Sequence, residues 1–451
     1  MRQTEERDDG MITTRIVTGR GECKTPNGKL VAVSVRCDDD GIVEARLDGD
    51  FLIDDLGDHG HDGDHWRGDN HNDGDDMALI ADLERTIIRQ HVPIDESGFR
   101  DDVRRAIDDH PNSELIGTTA DAIVVATLRA IADARNMDID SRDTADGPAS
   151  PATNNASAAT AHSDSAATAT ANAPHPAPDT LSDRWHDLAL HVVQDPQPYS
   201  PPMQMALDQV IAQAVAAGDQ PPTLRFWNWG GPAVVIGAYQ SVDGEVDEVE
   251  AVREGFTVVR RITGGGAMFV RPDDTITYSL YVPESFTHGL DAVESYRLCD
   301  EWAFSALHAL GIPAVHQPIN DIATPSGGKI GGAAQRRFRG KSGAPGCILH
   351  HVTMAYRIDG EAMSRILRIS KEKLKYKVNE VKAVASANKR VQPLATQTAL
   401  SRDQIIRGMA DHALATISGA RPGIIPDSVL VQARSLARSR FSDSDWTHRI
   451  P

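Results

Sequence analysis

The residue types best suited to chemistry in this chain sit in a pair of short segments. The first, RRITGGGAMF (260–269), sets Arg260 and Arg261 ahead of Gly264, Gly265 and Gly266. Successive glycines expose backbone N–H groups and carry no Cβ, so a phosphate or an acyl chain can approach the main chain closely. Such a triplet is equally compatible with a bulge or hairpin turn, and it is neither the dinucleotide GxGxxG pattern nor a GxxxxGK[ST] loop. Neighbouring strand positions point to opposite faces, so one arginine is expected to face a pocket and the other to make a structural ion pair. The second segment, INDIATPSGGKIGGAAQ (319–335), places Lys329 among glycines and small residues, where core packing has little use for it. An ammonium in that setting suits a carboxylate attacking a phosphate, because it neutralises both and stabilises the charge that develops in transfer. Asp321, next to Asn320, offers the hard oxygen that a Mg²⁺ bridging nucleotide phosphates prefers.

Other chemistry-bearing residues have competing structural readings. His350 and His351 occupy adjacent positions of an apolar strand and so face opposite sides, which favours a structural or substrate-positioning role for one of them over shared catalysis. Cys347 opens the same strand, where a small buried thiol is the ordinary expectation; the sharper alternative is a nucleophile that forms a thioester. The stretch 54–76 holds nine Asp and four His residues. It reads either as a metal-binding loop or as a solvated acidic loop, and the EF-hand spacing is absent.

The elements that position these residues fall into three parts. Residues 11–140 carry strand-like runs at KLVAVSVRC and GIVEARLDGDFLI and helical runs at MALIADLERTIIRQ and DAIVVATLRAIADARNM, a small α+β pattern with 54–76 as an insertion. Residues 141–180 are Ala/Ser/Thr/Asn/Pro-rich and nearly free of large apolar side chains, which predicts a flexible linker. From 181 onward strands and helices mix: a helix at PMQMALDQVIAQAVAAG, strands joined by a glycine turn in TLRFWNWGGPAVVIGAY, strands on either side of the glycine triplet, an amphipathic helix at SYRLCDEWAFSALHALGI and a strand at CILHHVTMAYRI. Beyond 402 the pattern is mainly helical.

At 451 residues the chain has room for several cores. A net charge of −19 argues against a general nucleic-acid binder, which needs a Lys/Arg surplus. No apolar run approaches the roughly 20 residues of a bilayer span, and MRQTEERDDG lacks the basic and apolar regions of a signal peptide. The four cysteines show no CxxC pairing, so neither a zinc site nor a disulfide framework is expected, and a reducing cytoplasm is the default. Charge reverses locally: residues 329–341 hold five Lys/Arg and no acid, and 371–390 are also basic. This reads equally as a solvated face and as a docking surface for an acidic carrier.

Taken in order, RRITGGGAMF, NDI, GKIGGAAQ and LHHVTM resemble the lipoate–protein ligase family, over about residues 181–401, with 402–451 as a helical extension. Residues 11–140 resemble that family's small accessory domain through GKLV (28–31) and GDF (49–51), placed here ahead of the catalytic part. About 40 flexible residues between them would span roughly 35 Å, enough for docking and release. The resemblance implies an α+β fold with a mixed biotin/lipoate ligase-like sheet. It implies ATP and Mg²⁺ as cofactors, lipoate activated to lipoyl-AMP, and transfer to a lysine of a lipoyl carrier domain of a 2-oxoacid dehydrogenase subunit or a glycine cleavage H protein. By the same resemblance Lys329 is catalytic, touching the lipoyl carbonyl and the α-phosphate. Arg261, Gly264, Gly265, Gly266, Ala267, Met268, Phe269, Asn320 and Asp321 bind nucleotide and adenylate, with Asp321 on the metal side. Where many members have His-Asp after the glycine run, this chain has Val270-Arg271. The alternatives are an ATP-independent octanoyl or lipoyl transferase using Cys347, and a protein that binds a lipoyl-like ligand without turnover.

Overall fold

The computed structural model describes residues 16–25, 28–55, 74–142, 181–340, 343–368, 370 and 391–450. The N-terminal part opens with an antiparallel sheet of β1 (Val17–Lys24), β2 (Leu30–Cys37) and β3 (Ile42–Gly49), in that order, beside the paired β4 (Leu52–Asp55) and β5 (Ser113–Ile116). The run GIVEARLDGDFLI is therefore broken at Asp50–Phe51, and β1, disguised by its glycines, is an additional strand. Those glycines have a packing reason. A Cβ at Gly19 would lie 2.1 Å from the Ala130 carbonyl oxygen, and one at Gly21 the same distance from that of Ala126. Ala126, Ala130 and Ala134 recur every four residues on the helix Ala120–Arg142, so a stripe of small residues lets helix and strand meet backbone to backbone.

The remaining strands in chain order are β6 (His191–Tyr199), β7 (Thr223–Trp229), β8 (Ala233–Ile236), β9 (Thr257–Arg260), β10 (Met268–Val270) and β11 (Thr275–Val282). They continue with β12 (Val315–Gln317), β13 (Asp321–Ala323), β14 (Lys329–Phe338), β15 (Cys347–Ala355) and β16 (Arg421–Pro422). Eight of them build a mixed sheet ordered β12-β13-β14-β15-β11-β7-β6-β16, in which only the pairs β6/β7 and β6/β16 are parallel. The fold class is α+β, as the sequence pattern indicates. All of β11, TITYSLYV, is buried because helices cover both faces of the sheet. Ile276, Tyr278, Leu280 and Val282 face one core with the helices Ala292–Ala309 and Arg402–Thr416, while Tyr281 faces another with the helix Pro201–Ala217. Trp302, fully buried in the first core, is worth about 3–5 kcal/mol against truncation to alanine.

The glycine turn of TLRFWNWGGPAVVIGAY does not make a hairpin. β7 stays in the large sheet, whereas β8 leaves it to form a small sheet ordered β10-β8-β9. Residues 402–450 are no appendage: Ile405, Met409 and Ala413 enter one core, and Val429, Ala433 and Phe441 the other. The predicted linker from 143 on, most of the Asp/His stretch (56–73) and the basic run 371–390 lie outside the described residues. No helix of the described residues is long and apolar enough to cross a membrane.

The N-terminal part packs directly on the rest. Phe51 stacks on Tyr239 with ring centroids 5.3 Å apart, and Leu52 and Ile116 join the core beneath the large sheet. Arg337 on β14 reaches Asp54 at 3.2 Å and Glu284 at 3.2 Å, a link across the boundary.

Candidate active site

A cavity of about 200 Å³ opens on the large sheet. Asp321, Gly332, Thr353, Thr277 and Trp227 are successive register partners across β13, β14, β15, β11 and β7. Partners in register present their side chains on one face, and all of these residues line the cavity. The glycines of GKIGG have a steric purpose here. At Gly332 a Cβ would stand 3.2 Å from Lys329 Nζ, and at Gly331 it would meet the Thr353 carbonyl oxygen at 2.5 Å. Bare backbone in β14 thus leaves the lysine its place above the floor.

Lys329 opens β14 with a partly exposed side chain, and its Nζ donates to Asp321 Oδ1 at 2.8 Å. Burial pushes the Asp321 carboxyl up, but the ammonium groups of Lys329 and Lys29 outweigh it and hold the group below its ordinary range. Asn320, buried beside it, donates its amide to the Ala333 carbonyl, which aims its Oδ1 at Lys29; Lys29 Nζ donates to that oxygen at 2.6 Å. Two ammoniums therefore converge on one carboxylate and one neutral amide. Among the described residues no three His, Cys, Asp or Glu side chains are grouped to hold a metal ion. Asp321, expected on the metal side, offers a single carboxylate already held by Lys329, so the described residues do not by themselves make a Mg²⁺ site.

The glycine loop is shaped from both sides. Arg261, buried, donates through Nη1 to the Val235 carbonyl at 3.1 Å and through Nη2 to the carbonyls of Gly264 and Gly266 at 2.6 and 3.0 Å. It pins the loop's carbonyls inward, and Gly265 takes a φ of +92° that favours glycine. From the other side the Phe51 carbonyl accepts from Gly265 N at 3.2 Å. Arg260 is fully buried, and among the described residues it has no ion pair where a structural one was expected. Its guanidinium donates to the carbonyls of Gly237, Gln240, Thr447 and Ile450, tying the C-terminal segment to the small sheet. Burial lowers the pKa of both guanidiniums, yet each stays charged among carbonyl oxygens.

His350 and His351 do face opposite sides. His350 Nε2 meets Asp300 of the helix Ala292–Ala309 at 2.7 Å; His351 Nδ1 meets Asp208 of the helix Pro201–Ala217 at 2.7 Å. His351 lines the cavity, and its Nε2 lies 2.8 Å from Thr263 Oγ1, which also accepts from Arg261 Nε at 3.0 Å. The hydroxyl proton therefore goes to Nε2, leaving Nδ1–H to donate to Asp208. Burial lowers the His351 pKa despite that carboxylate, so the ring is neutral at pH 7. A chain Asp208–His351–Thr263–Arg261 thus links the helix to the glycine loop.

Of the residues expected to form a site, Lys329, Arg261, Gly265, Gly266, Ala267, Met268, Phe269, Asn320 and Asp321 all line this one cavity. Gly264 does not: a Cβ there would lie 2.6 Å from the Phe51 carbonyl oxygen, so this glycine serves the contact with the N-terminal part. Arg271 also lines the cavity, over the rings of Phe256 and Phe269, with Asp359 at 2.8 Å. None of the four cysteines lines it; Cys347 is fully buried among the residues under the helix Pro201–Ala217, and burial pushes its thiol well above the ordinary range. Sequence reasoning missed Lys29, although GKLV was singled out, and Thr277 and Trp227, which only strand register brings in.

The model of the lipoyl protein ligase A/B catalytic domain matches residues 200–413. An octanoyltransferase LipM of Symbiobacterium thermophilum is 30% identical over 274 residues, 55% of this chain and 94% of that protein. One from Exiguobacterium is 32% identical over 188 residues, 36% of this chain and 65% of that protein. Among solved structures, a bipartite lipoate protein ligase studied with its E2 lipoyl domain, from Thermoplasma acidophilum, shares 24% identity at a TM-score of 0.49, over 58% of this chain and 98% of that one.

Proposed function

This chain belongs to the lipoate–protein ligase family, and from that premise we propose that it is the ATP-dependent kind, activating lipoate to lipoyl-AMP and passing the lipoyl group to a lysine of a lipoyl carrier domain. In the first step a lipoate carboxylate oxygen attacks the α-phosphorus of ATP, its bond to the β-phosphate bridging oxygen breaks, and pyrophosphate leaves with the electron pair. In the second a carrier lysine amine attacks the acyl carbonyl, AMP departs, an amide forms and the amine loses a proton. Mg²⁺ enters as part of the nucleotide substrate.

The observation that carries this reading is a cavity with an ammonium at its polar side and no thiol. Lys329, held by Asp321, neutralises the attacking carboxylate and the α-phosphate together, where developing charge is greatest. The glycine loop pinned by Arg261 offers its main chain to the adenylate. Trp227, Met205 and Met268 give the same cavity an apolar lining for the acyl chain. Thioester transfer needs a nucleophilic cysteine at the acyl carbonyl, and here all four lie off the cavity.

The second reading is ATP-independent octanoyl transfer, favoured by the octanoyltransferase names of the matched relatives. Purified protein given lipoate, ATP and an apo lipoyl domain is expected to release pyrophosphate with each lipoylated carrier, and Lys329→Ala is expected to stop it. Transfer from an octanoyl carrier without ATP, lost in Cys347→Ser, would establish the other reading.

A further inference from the structure

We propose that His351 and Asp208 are positioning residues of the activation step: through the Thr263 hydroxyl they hold the glycine loop in its substrate-binding shape, and only while the imidazole is neutral. This rests on the ligase reading. The support reaches the loop from outside its own motif, since Asp208 lies on the helix Pro201–Ala217 and His351 on β15. The loop turns the carbonyls of Ile262, Thr263, Gly264 and Gly266 into the protein. Arg336 of β14 donates to the first at 2.7 Å, Ala238 N to the second at 2.8 Å, and Arg261 Nη2 to the last two. Arg261 thus sets how the glycine carbonyls turn, and its Nε–H is aimed at Thr263 Oγ1. An oxygen that accepts there sends its own proton elsewhere, and His351 Nε2 stands ready at 2.8 Å. A neutral imidazole with its proton on Nδ1 can take it, and the Asp208 carboxylate fixes that tautomer from 2.7 Å. Asp208 is held in turn, because Ser279 and Tyr281 donate to its other oxygen at 2.8 and 2.6 Å. Every proton along this chain has one assigned place.

One added proton undoes the arrangement. An imidazolium donates from both nitrogens, so Nε2 meets Thr263 as a second donor beside Arg261 Nε, and the hydroxyl proton loses its acceptor. Burial opposes the new charge most, Asp208 favours it, and Arg261 and His350 oppose it. The hydroxyl is then shared between two cations, and the Nε edge of Arg261 loses its fixed partner. The support holds at neutral pH and slackens in acid.

The test is the initial rate of lipoyl-AMP formation from lipoate and ATP between pH 5 and pH 8. It uses the full-length chain at a temperature where near-ultraviolet circular dichroism shows every variant folded. His351→Leu, which offers Thr263 no acceptor, is expected to be about 30-fold slower at pH 7.5. His351→Gln keeps an acceptor that does not titrate in this range, and is expected to stay within about 3-fold of the unaltered chain at pH 7.5. Dividing the Gln rate by the unaltered rate cancels ionisation of the nucleotide itself, and that ratio should rise from pH 7 to pH 5. A flat ratio, or a Leu variant as fast as the Gln variant, would overturn the proposal. Should the Leu variant fail to fold, the ratio for Gln decides alone. If the unaltered chain makes no lipoyl-AMP at any pH, the ligase reading falls and takes this one with it, a failure distinct from a flat ratio.

Discussion

Two lysines reach the Asn320–Asp321 turn by different routes. Lys329 is built into the large sheet: it begins β14, pairs with Asp321 two strands from the edge, and owes its position to glycines in its own strand. Lys29 arrives on the β1–β3 part of the molecule, and its position depends on how that part sits against the catalytic sheet. The first is fixed whenever the sheet is folded. The second is fixed only while two surfaces stay in contact, through Phe51 on Tyr239, Phe51 on the glycine loop and Arg337 on Asp54.

The largest effect expected is at the sheet-borne lysine. Lys329→Ala should lower lipoyl-AMP formation by about 1000-fold, more than any change at Lys29, measured as pyrophosphate released in a single turnover. An equal or smaller loss than at Lys29 would break the ranking of the two lysines. Next comes the support under the sheet. Asp208→Ala leaves His351, Tyr281 and Ser279 with buried donors and no acceptor, and should destabilise the fold by about 3 kcal/mol in urea unfolding. The folded-state pKa values of His351 and Asp208 are both lowered, so their contribution is complete above the ordinary histidine value of 6.5 and declines as pH falls below it. The melting temperature should therefore drop between pH 7 and pH 5, and less steeply in His351→Gln.

Smaller changes sharpen the docked side. Gly117→Val puts a β-branched residue at φ +85° with its Cβ 2.4 Å from Lys29 Cγ, and should destabilise the fold by about 2 kcal/mol in urea unfolding. Arg337→Gln removes a largely buried charged link between the parts and should cost about 2 kcal/mol of stability; the difference from the unaltered chain should shrink with added salt, which screens the pair where it is present. A difference that salt leaves unchanged would argue that Phe51 and the apolar contacts alone hold the parts together.

Much of the site was legible because its residues lie close together in sequence. Asn320, Asp321 and Lys329 sit within ten positions, and glycines beside a lysine have little use except to clear space for it. The opposed faces of His350 and His351 follow from strand alternation alone. What was not legible depends on partners far along the chain. Arg261 reads as a phosphate-gripping cation until its donors are seen to end on Val235, Gly264 and Gly266 carbonyls. The departure of β8 from the sheet of β7 leaves no local sign, since Gly-Gly serves a hairpin equally well. Lys29 could be placed in GKLV but given no task, because its partner lies 291 residues away.

The most direct measurement is the nucleotide balance of a single lipoylation reaction with purified protein, ATP, lipoate and an apo lipoyl domain. The account predicts one AMP and one pyrophosphate for every lipoyl group attached, none of it in Lys329→Ala. Carrier acylation in the absence of ATP, with an acyl adduct on a cysteine of the enzyme, would contradict it.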